Sequence, residues 1–120
     1  MPHYLWAYFI SRCWQALLSI MSGGRIIFFP SQVTIPANQK VKLIIDNQDN
    51  TPEKFDIFLL NREKVILASI KANIFIGPLK PGKYDFFAEY NPNTASGTVI
   101  VEHQKQESPD ANEYGYFIFT

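Results

Sequence analysis

The sequence contains few of the residues from which soft metal sites and redox sites are built. Its 120 residues include one cysteine, Cys13, and two histidines, His3 and His103, which stand at opposite ends of the chain. A single cysteine excludes an internal disulfide, and there is no Cys-x-x-Cys pair for zinc binding or thiol redox chemistry. A metal cluster of histidine and cysteine ligands therefore cannot be drawn from this composition.

The chain also lacks an excess of either charge. Eleven Lys and Arg residues balance eleven Asp and Glu residues, so the formal net charge is zero. We therefore expect no nucleic-acid partner, because binding to a polyanion requires basic surface. The sequence has no glycine-rich phosphate loop, no Gly-x-Ser-x-Gly motif and no zinc-protease histidine pair. Since no nucleophile and base can be paired, we do not expect an enzyme.

Three segments differ in composition, with boundaries at residues 1–24, 25–103 and 104–120. The first 22 residues have one formally charged side chain, Arg12, which is flanked by the apolar runs YLWAYFI and ALLSIM. They have the apolar centre and small-residue end of a secretory leader but lack its positive start. Residues 4–22 are of marginal length for a membrane anchor. The alternatives left open are a leader or anchor, and a helix that packs on the domain.

The middle segment has the pattern of a β protein. Seven short runs, apolar or alternating, are separated by Pro, Gly and Asn: RIIFFP, SQVTIP, KVKLIID, KFDIFLL, KANIFIG, KYDFFAEY and GTVIVE. This pattern predicts an all-β antiparallel sandwich or barrel. Residues 61–70, NREKVILASI, fit a helical turn or an edge strand equally well.

The last segment combines a polar, turn-rich linker, residues 104–113, with the aromatic, β-prone sequence YGYFIFT at residues 114–120. An exposed aromatic strand favours aggregation. We therefore expect these seven residues to dock as an edge strand, with an exposed end and a tail-mediated dimer as the alternatives.

Two stretches carry a family resemblance: PSQVTIPANQKVKLIIDNQDNTPEKFDI, residues 30–57, and IFIGPLKPGKYDFFAEYNPNTASGTVIVE, residues 74–102. Together they resemble the cupredoxin-like domain of bacterial periplasmic iron-transport proteins, and the small stand-alone members most closely. The resemblance covers roughly residues 25–102. It implies a Greek-key cupredoxin-like sandwich of seven or eight strands and a periplasmic or secreted location.

In copper-carrying cupredoxins, two histidines, a cysteine and often a methionine hold the metal. By resemblance, the cysteine position falls at Ala88, the second histidine at Asn91 and the methionine at Ala95 or Ser96. The first histidine belongs between Glu53 and Asp56. None of these residues offers a soft ligand, so we expect no type 1 copper site.

The oxygen ligands left near these positions are Glu53, Asp56 and Glu89, which suit hard cations or Fe³⁺. We expect these three carboxylates to converge, although Lys54 weakens any such site by its positive charge. The alternative is a set of solvated acids at strand ends. By resemblance, the chain assists iron or copper uptake together with a membrane transport component. The other candidate is a metal-free interaction module that binds through its aromatic ends.

Overall fold

A computed structural model describes residues 4–10 and 13–104 of the chain. These residues form eleven strands and one 3₁₀ turn, Phe58–Leu60. The strands are β1 Tyr4–Trp6, β2 Tyr8–Ile10, β3 Cys13–Met21, β4 Ile27–Phe29, β5 Gln32–Pro36, β6 Val41–Asn47, β7 Glu53–Ile57, β8 Arg62–Ile66, β9 Lys71–Ile76, β10 Gly82–Ala88 and β11 Ser96–Glu102.

The strands build two mixed sheets that pack face to face. Sheet A has the order β1-β5-β11-β10-β7-β8, and sheet B has the order β2-β3-β6-β9, with β4 also paired to β3. The all-β sandwich is confirmed, and each of the seven runs lies on a strand. The ambiguous residues 61–70 contribute β8, which is the edge strand of sheet A.

The expectation of a helix in the N-terminal segment is wrong, because residues 13–21 form a long strand, β3. Its Ala16, Leu18 and Ile20 are fully buried and recur at every second residue, the period of a strand. Parallel pairing with β6 supplies the backbone partners. Within the described residues, no helix is long and apolar enough to cross a membrane.

The core lies between the sheets and contains three packed aromatic rings. Phe28 meets Phe86 edge to face at 4.9 Å between ring centroids, and Phe55 lies 5.3 Å from Phe86. Gly97, directly across from Phe86 on β11, leaves room for that ring, since a Cβ there would lie 2.5 Å from it. Ala88 and Ala95, near the two ends of the loop that connects β10 to β11, belong to the same core cluster as these rings. The predicted docking of residues 114–120 lies outside the described residues.

Candidate functional site

Strand β7 divides the predicted site residues between two faces of sheet A. Its burial alternates strictly, with Glu53 turned towards the core and Lys54 and Asp56 turned outwards. Residues three apart on a strand point to opposite faces. The expected convergence of Glu53 with Asp56 and Glu89 is therefore wrong for Glu53.

Glu53 is 2% exposed, and both of its carboxylate oxygens accept hydrogen bonds. Oε2 accepts the backbone N–H of Tyr90 at 2.9 Å and that of Lys54 at 3.1 Å. Oε1 accepts the side-chain amide of Asn91 at 2.7 Å. Glu53 thus ties the start of β7 to the loop of residues 89–95, and its oxygens are occupied by protein donors.

That loop brings together the positions that the resemblance assigns to copper ligands. Ala88 donates its N–H to the carbonyl of Ala95 at 3.0 Å, and the Ala88 carbonyl accepts the Asn91 N–H at 3.0 Å. Ala88 and Ala95 are fully buried. In place of soft ligands, the structure has two methyl groups and the hydrogen bond between Glu53 and Asn91, so these residues do not fit type 1 copper.

A second group of acids lies on the outer face of sheet A. Asp56, Glu63 and Glu89 each place a carboxylate oxygen so that all three lie within 4.8 Å of one another. Asp56 stands directly across from Glu63 in the pairing of β7 with β8. Glu89 follows the end of β10, where its N–H donates to the Lys54 carbonyl at 2.8 Å. We call these three residues the acidic cluster.

Lys54 is the counter-ion of the acidic cluster. Its Nζ lies 3.0 Å from Glu63 and 3.3 Å from Glu89, and hydrogen bonds to these two carboxylates raise its pKa. Burial raises the pKa of Asp56, and a hydrogen bond to Glu89 and the charges of Glu89 and Glu63 raise it further, against the opposing effect of Lys54. Three acids thus share one ammonium group, and the cluster retains negative charge that a cation would neutralise.

Sequence reasoning missed two polar residues of this region. Glu63 joins the acidic cluster only through the register of β7 with β8, which no local pattern reveals. Asn47 is fully buried, and its Nδ2 donates to the carbonyls of Thr51 at 3.0 Å and of Ile66 and Leu67 at 3.2 Å. It thereby fixes the loop that leads into β7, and the sequence signal for this role was its place within the turn-rich stretch DNQDNTPE, residues 46–53.

Comparison with known proteins identifies the fold family. Residues 20–101 match the family model of the cupredoxin-like domain. The chain belongs to this family. The cupredoxin-like chain is also 43% identical over 74 residues to the uncharacterised protein RP394 of Rickettsia prowazekii. That match covers 62% of this chain and 59% of the relative, so it spans about three fifths of the relative's length.

Among solved structures, the cupredoxin-like chain is similar to the metal-binding domain, with Cu(I), of the Cu(I)-exporting P-type ATPase CopA of Streptococcus pneumoniae D39. The TM-score is 0.73 at 10% identity, over 86% of this chain and 99% of that one. For a copper-binding protein in its apo form, the TM-score is 0.68 at 16% identity, over 81% of this chain and 95% of that one. For amicyanin of Paracoccus versutus, the TM-score is 0.55 at 18% identity, over 78% of this chain and 85% of that one. Identities this low show a shared fold.

Proposed function

We propose that this chain is a non-enzymatic protein that handles a metal cation through the acidic cluster instead of a type 1 copper site. The observation that carries the proposal is the approach of Asp56, Glu63 and Glu89 to within 4.8 Å of one another. Oxygen ligands favour hard cations, so Fe³⁺ is the first candidate and Cu²⁺ the second. The resemblance to iron-transport proteins supports a role in uptake, a periplasmic or secreted location and a membrane transport component as partner.

The spacing of the acidic cluster suits an ion at its centre. Oxygens on opposite sides of a hard cation are separated by about 4–5 Å, twice a typical metal–oxygen distance. The Lys54 ammonium already neutralises part of the charge of the cluster through its contacts with Glu63 and Glu89. A bound cation would have to displace the Lys54 ammonium, which makes this lysine a competitor for the site.

The test is calorimetric titration of the full chain with Fe³⁺ as a soluble chelate, Fe²⁺, Cu²⁺ and Cu⁺. We expect one cation per chain with a dissociation constant of about micromolar. Glu63→Gln and Glu89→Gln should each weaken binding about tenfold or more, since each removes one charged ligand. Lys54→Met should tighten binding, because it removes the competing charge. Glu102→Gln, at an exposed acid outside the cluster, is the matched control.

Three outcomes contradict the proposal: no ion binds, Glu89→Gln binds as tightly as the original chain, or Lys54→Met weakens binding while remaining folded. An intense blue colour with Cu²⁺ would also contradict it, because that colour requires the thiolate ligand that position 88 lacks.

A second candidate function, a metal-free interaction module, rests on a different observation. Phe58 and Leu59, adjacent residues of the 3₁₀ turn, are 76% and 68% exposed. Large apolar side chains grouped at a surface favour protein contact. If Phe58→Ser with Leu59→Ser abolishes the biological role while cation binding is unchanged, this candidate replaces the first.

A further inference from the structure

The sandwich has two unpaired strand edges that lie side by side. Within the described residues, β8 pairs only with β7, and β9 pairs only with β6. These strands are consecutive in the chain. β8 lies at an edge of sheet A, and β9 lies at an edge of sheet B. A cleft of ≈ 520 Å³ lies between them, lined by Arg62, Glu63 and Lys64 of β8 and by Asn73, Ile74 and Phe75 of β9. An unpaired edge beside a cleft is a template for one more strand.

Of the two edges, β9 is the better acceptor for a strand. β8 begins with three consecutive charged residues, Arg62 to Lys64, which discourage pairing. β9 carries one charge, Lys71, contains no proline, and presents the ring of Phe75 at 42% exposure. Its edge therefore offers both free peptide groups and apolar surface.

The hydrogen bonds of sheet B show which peptide groups of β9 face this edge. The carbonyl of Ile70 accepts the N–H of Asn47, at the end of β6, at 2.9 Å. In an antiparallel strand, alternate residues direct both peptide groups to the same side. Residues 72, 74 and 76 therefore face β6, whereas Lys71, Asn73 and Phe75 direct their N–H and C=O groups to the open edge.

The chain leaves the described region close to one end of β9. Gln104 accepts a hydrogen bond from the side chain of Gln39 at 3.1 Å. The backbone of Gln39 in turn lies against Gly77, the residue that follows β9. Sixteen residues, 105–120, continue from this point. A segment that turns directly back along β9 from this end runs antiparallel to it.

We propose that residues 114–120, YGYFIFT, add to the open edge of β9 as an antiparallel strand of the same chain. The linker of residues 105–113 spans up to about 30 Å when extended, whereas β9 is about 20 Å long. The segment can therefore reach any register on this edge. No proline occurs after position 109, so every residue of the segment has an N–H group, and alternate residues can direct theirs to the edge in either register.

Charge complementarity supports this occupant over an unrelated peptide. The linker carries three acids, Glu107, Asp110 and Glu113, against one base, Lys105. β8 and β9 carry three bases, Arg62, Lys64 and Lys71, and Lys40 precedes the neighbouring β6, against Glu63 as the one acid lining the cleft. One of these bases, at position 40, lies 5.0 Å from the centre of the Phe75 ring. An acidic linker is attracted to this rim.

The test is residue-resolved amide hydrogen exchange by NMR, on the full chain and on a chain that ends at Gln104. Removal of the tail should speed exchange at Lys71, Asn73 and Phe75 by about tenfold or more, because their partners are lost. The amides of residues 72, 74 and 76 pair with β6 and should not change. Phe117→Asp in the full chain should act as the truncation does, and Asn112→Ser, in the linker, is the matched control.

Asn73→Pro tests the edge without touching the tail. It removes an N–H that faces outwards and leaves the bonds to β6, and proline is tolerated on such edges. It should release residues 114–120, whose amides then exchange as in an unstructured peptide. Equal exchange of residues 71, 73 and 75 with and without the tail overturns the proposal. Protection that appears only in a concentration-dependent dimer also overturns it, by assigning the edge to a second copy.

Discussion

The replacement Glu53→Ala is expected to destabilise the protein by about 2–4 kcal/mol. It removes the acceptor of the Tyr90 N–H and of the Asn91 amide, and an unsatisfied buried donor costs about 1–3 kcal/mol. Both hydrogen bonds are only partly buried, so their donors regain part of the loss from water, and the volume emptied at the buried Glu53 adds to the total. The assay is urea unfolding, monitored by tryptophan fluorescence. The dependence of the unfolding free energy on urea concentration should stay unchanged.

Two further variants separate the hydrogen bonds from the packing. Glu53→Gln keeps the shape, and its amide can face Asn91 if that side chain turns over, so it should cost only about 1 kcal/mol. A double-mutant cycle of Glu53→Ala with Asn91→Ala should give a coupling of about 1–2 kcal/mol. A cost below about 1 kcal/mol for Glu53→Ala, or a coupling near zero, would refute the claim that Glu53 holds the loop of residues 89–95.

Two other predictions concern pH dependence and the N-terminal strand. Because the folded protein raises the pKa of Asp56 above its ordinary 3.8, stability falls as the pH rises from that value through the raised one. Asp56→Asn should therefore stabilise the fold by about 0.5 kcal/mol at neutral pH and should have no effect below about pH 3. Urea unfolding at the two pH values measures this difference. An equal effect at the two pH values would contradict the raised pKa of Asp56 as the cause. A chain that begins at residue 24 lacks β3 with its buried Ala16, Leu18 and Ile20, so it should show no cooperative unfolding, because such losses exceed typical stabilities. A dispersed NMR spectrum of that chain would contradict the placement of β3 in the core.

The sandwich was predictable because the apolar alternation of each strand is visible within a few residues of sequence. Alternation of Val41, Leu43 and Ile45, or of Phe86 and Ala88, marks one buried face without any knowledge of neighbouring strands. The N-terminal segment was misjudged because Trp14 and Leu17 are apolar although they stand at half-buried positions of β3, so the apolar composition hid the strand period. The pairing of β3 with β2, β4 and β6 shows that residues 13–21 belong to sheet B.

The candidate site was predictable in part, because it depends on register as well as on sequence spacing. Alternation along β10 correctly separates Ala88, turned inwards, from Glu89, which is exposed. The same rule, applied to β7, separates Glu53 from Asp56. Glu63 was out of reach, because its place opposite Asp56 follows from a pairing that a one-residue slip would reverse.

The two acid sites answer different physical needs, which explains why they lie on opposite faces of one strand. A metal ion in a cupredoxin ties a loop to the neighbouring strand, and here Glu53 does so through hydrogen bonds of 2.7–3.1 Å to Asn91, Tyr90 and Lys54. The fold can therefore dispense with the ion in its interior. On the outer face no loop has to be connected to a strand. There, the three carboxylates of the acidic cluster share one ammonium group. The cation binding that we propose would therefore balance charge at the surface, and the interior hydrogen bonds of Glu53 would hold the loop without it.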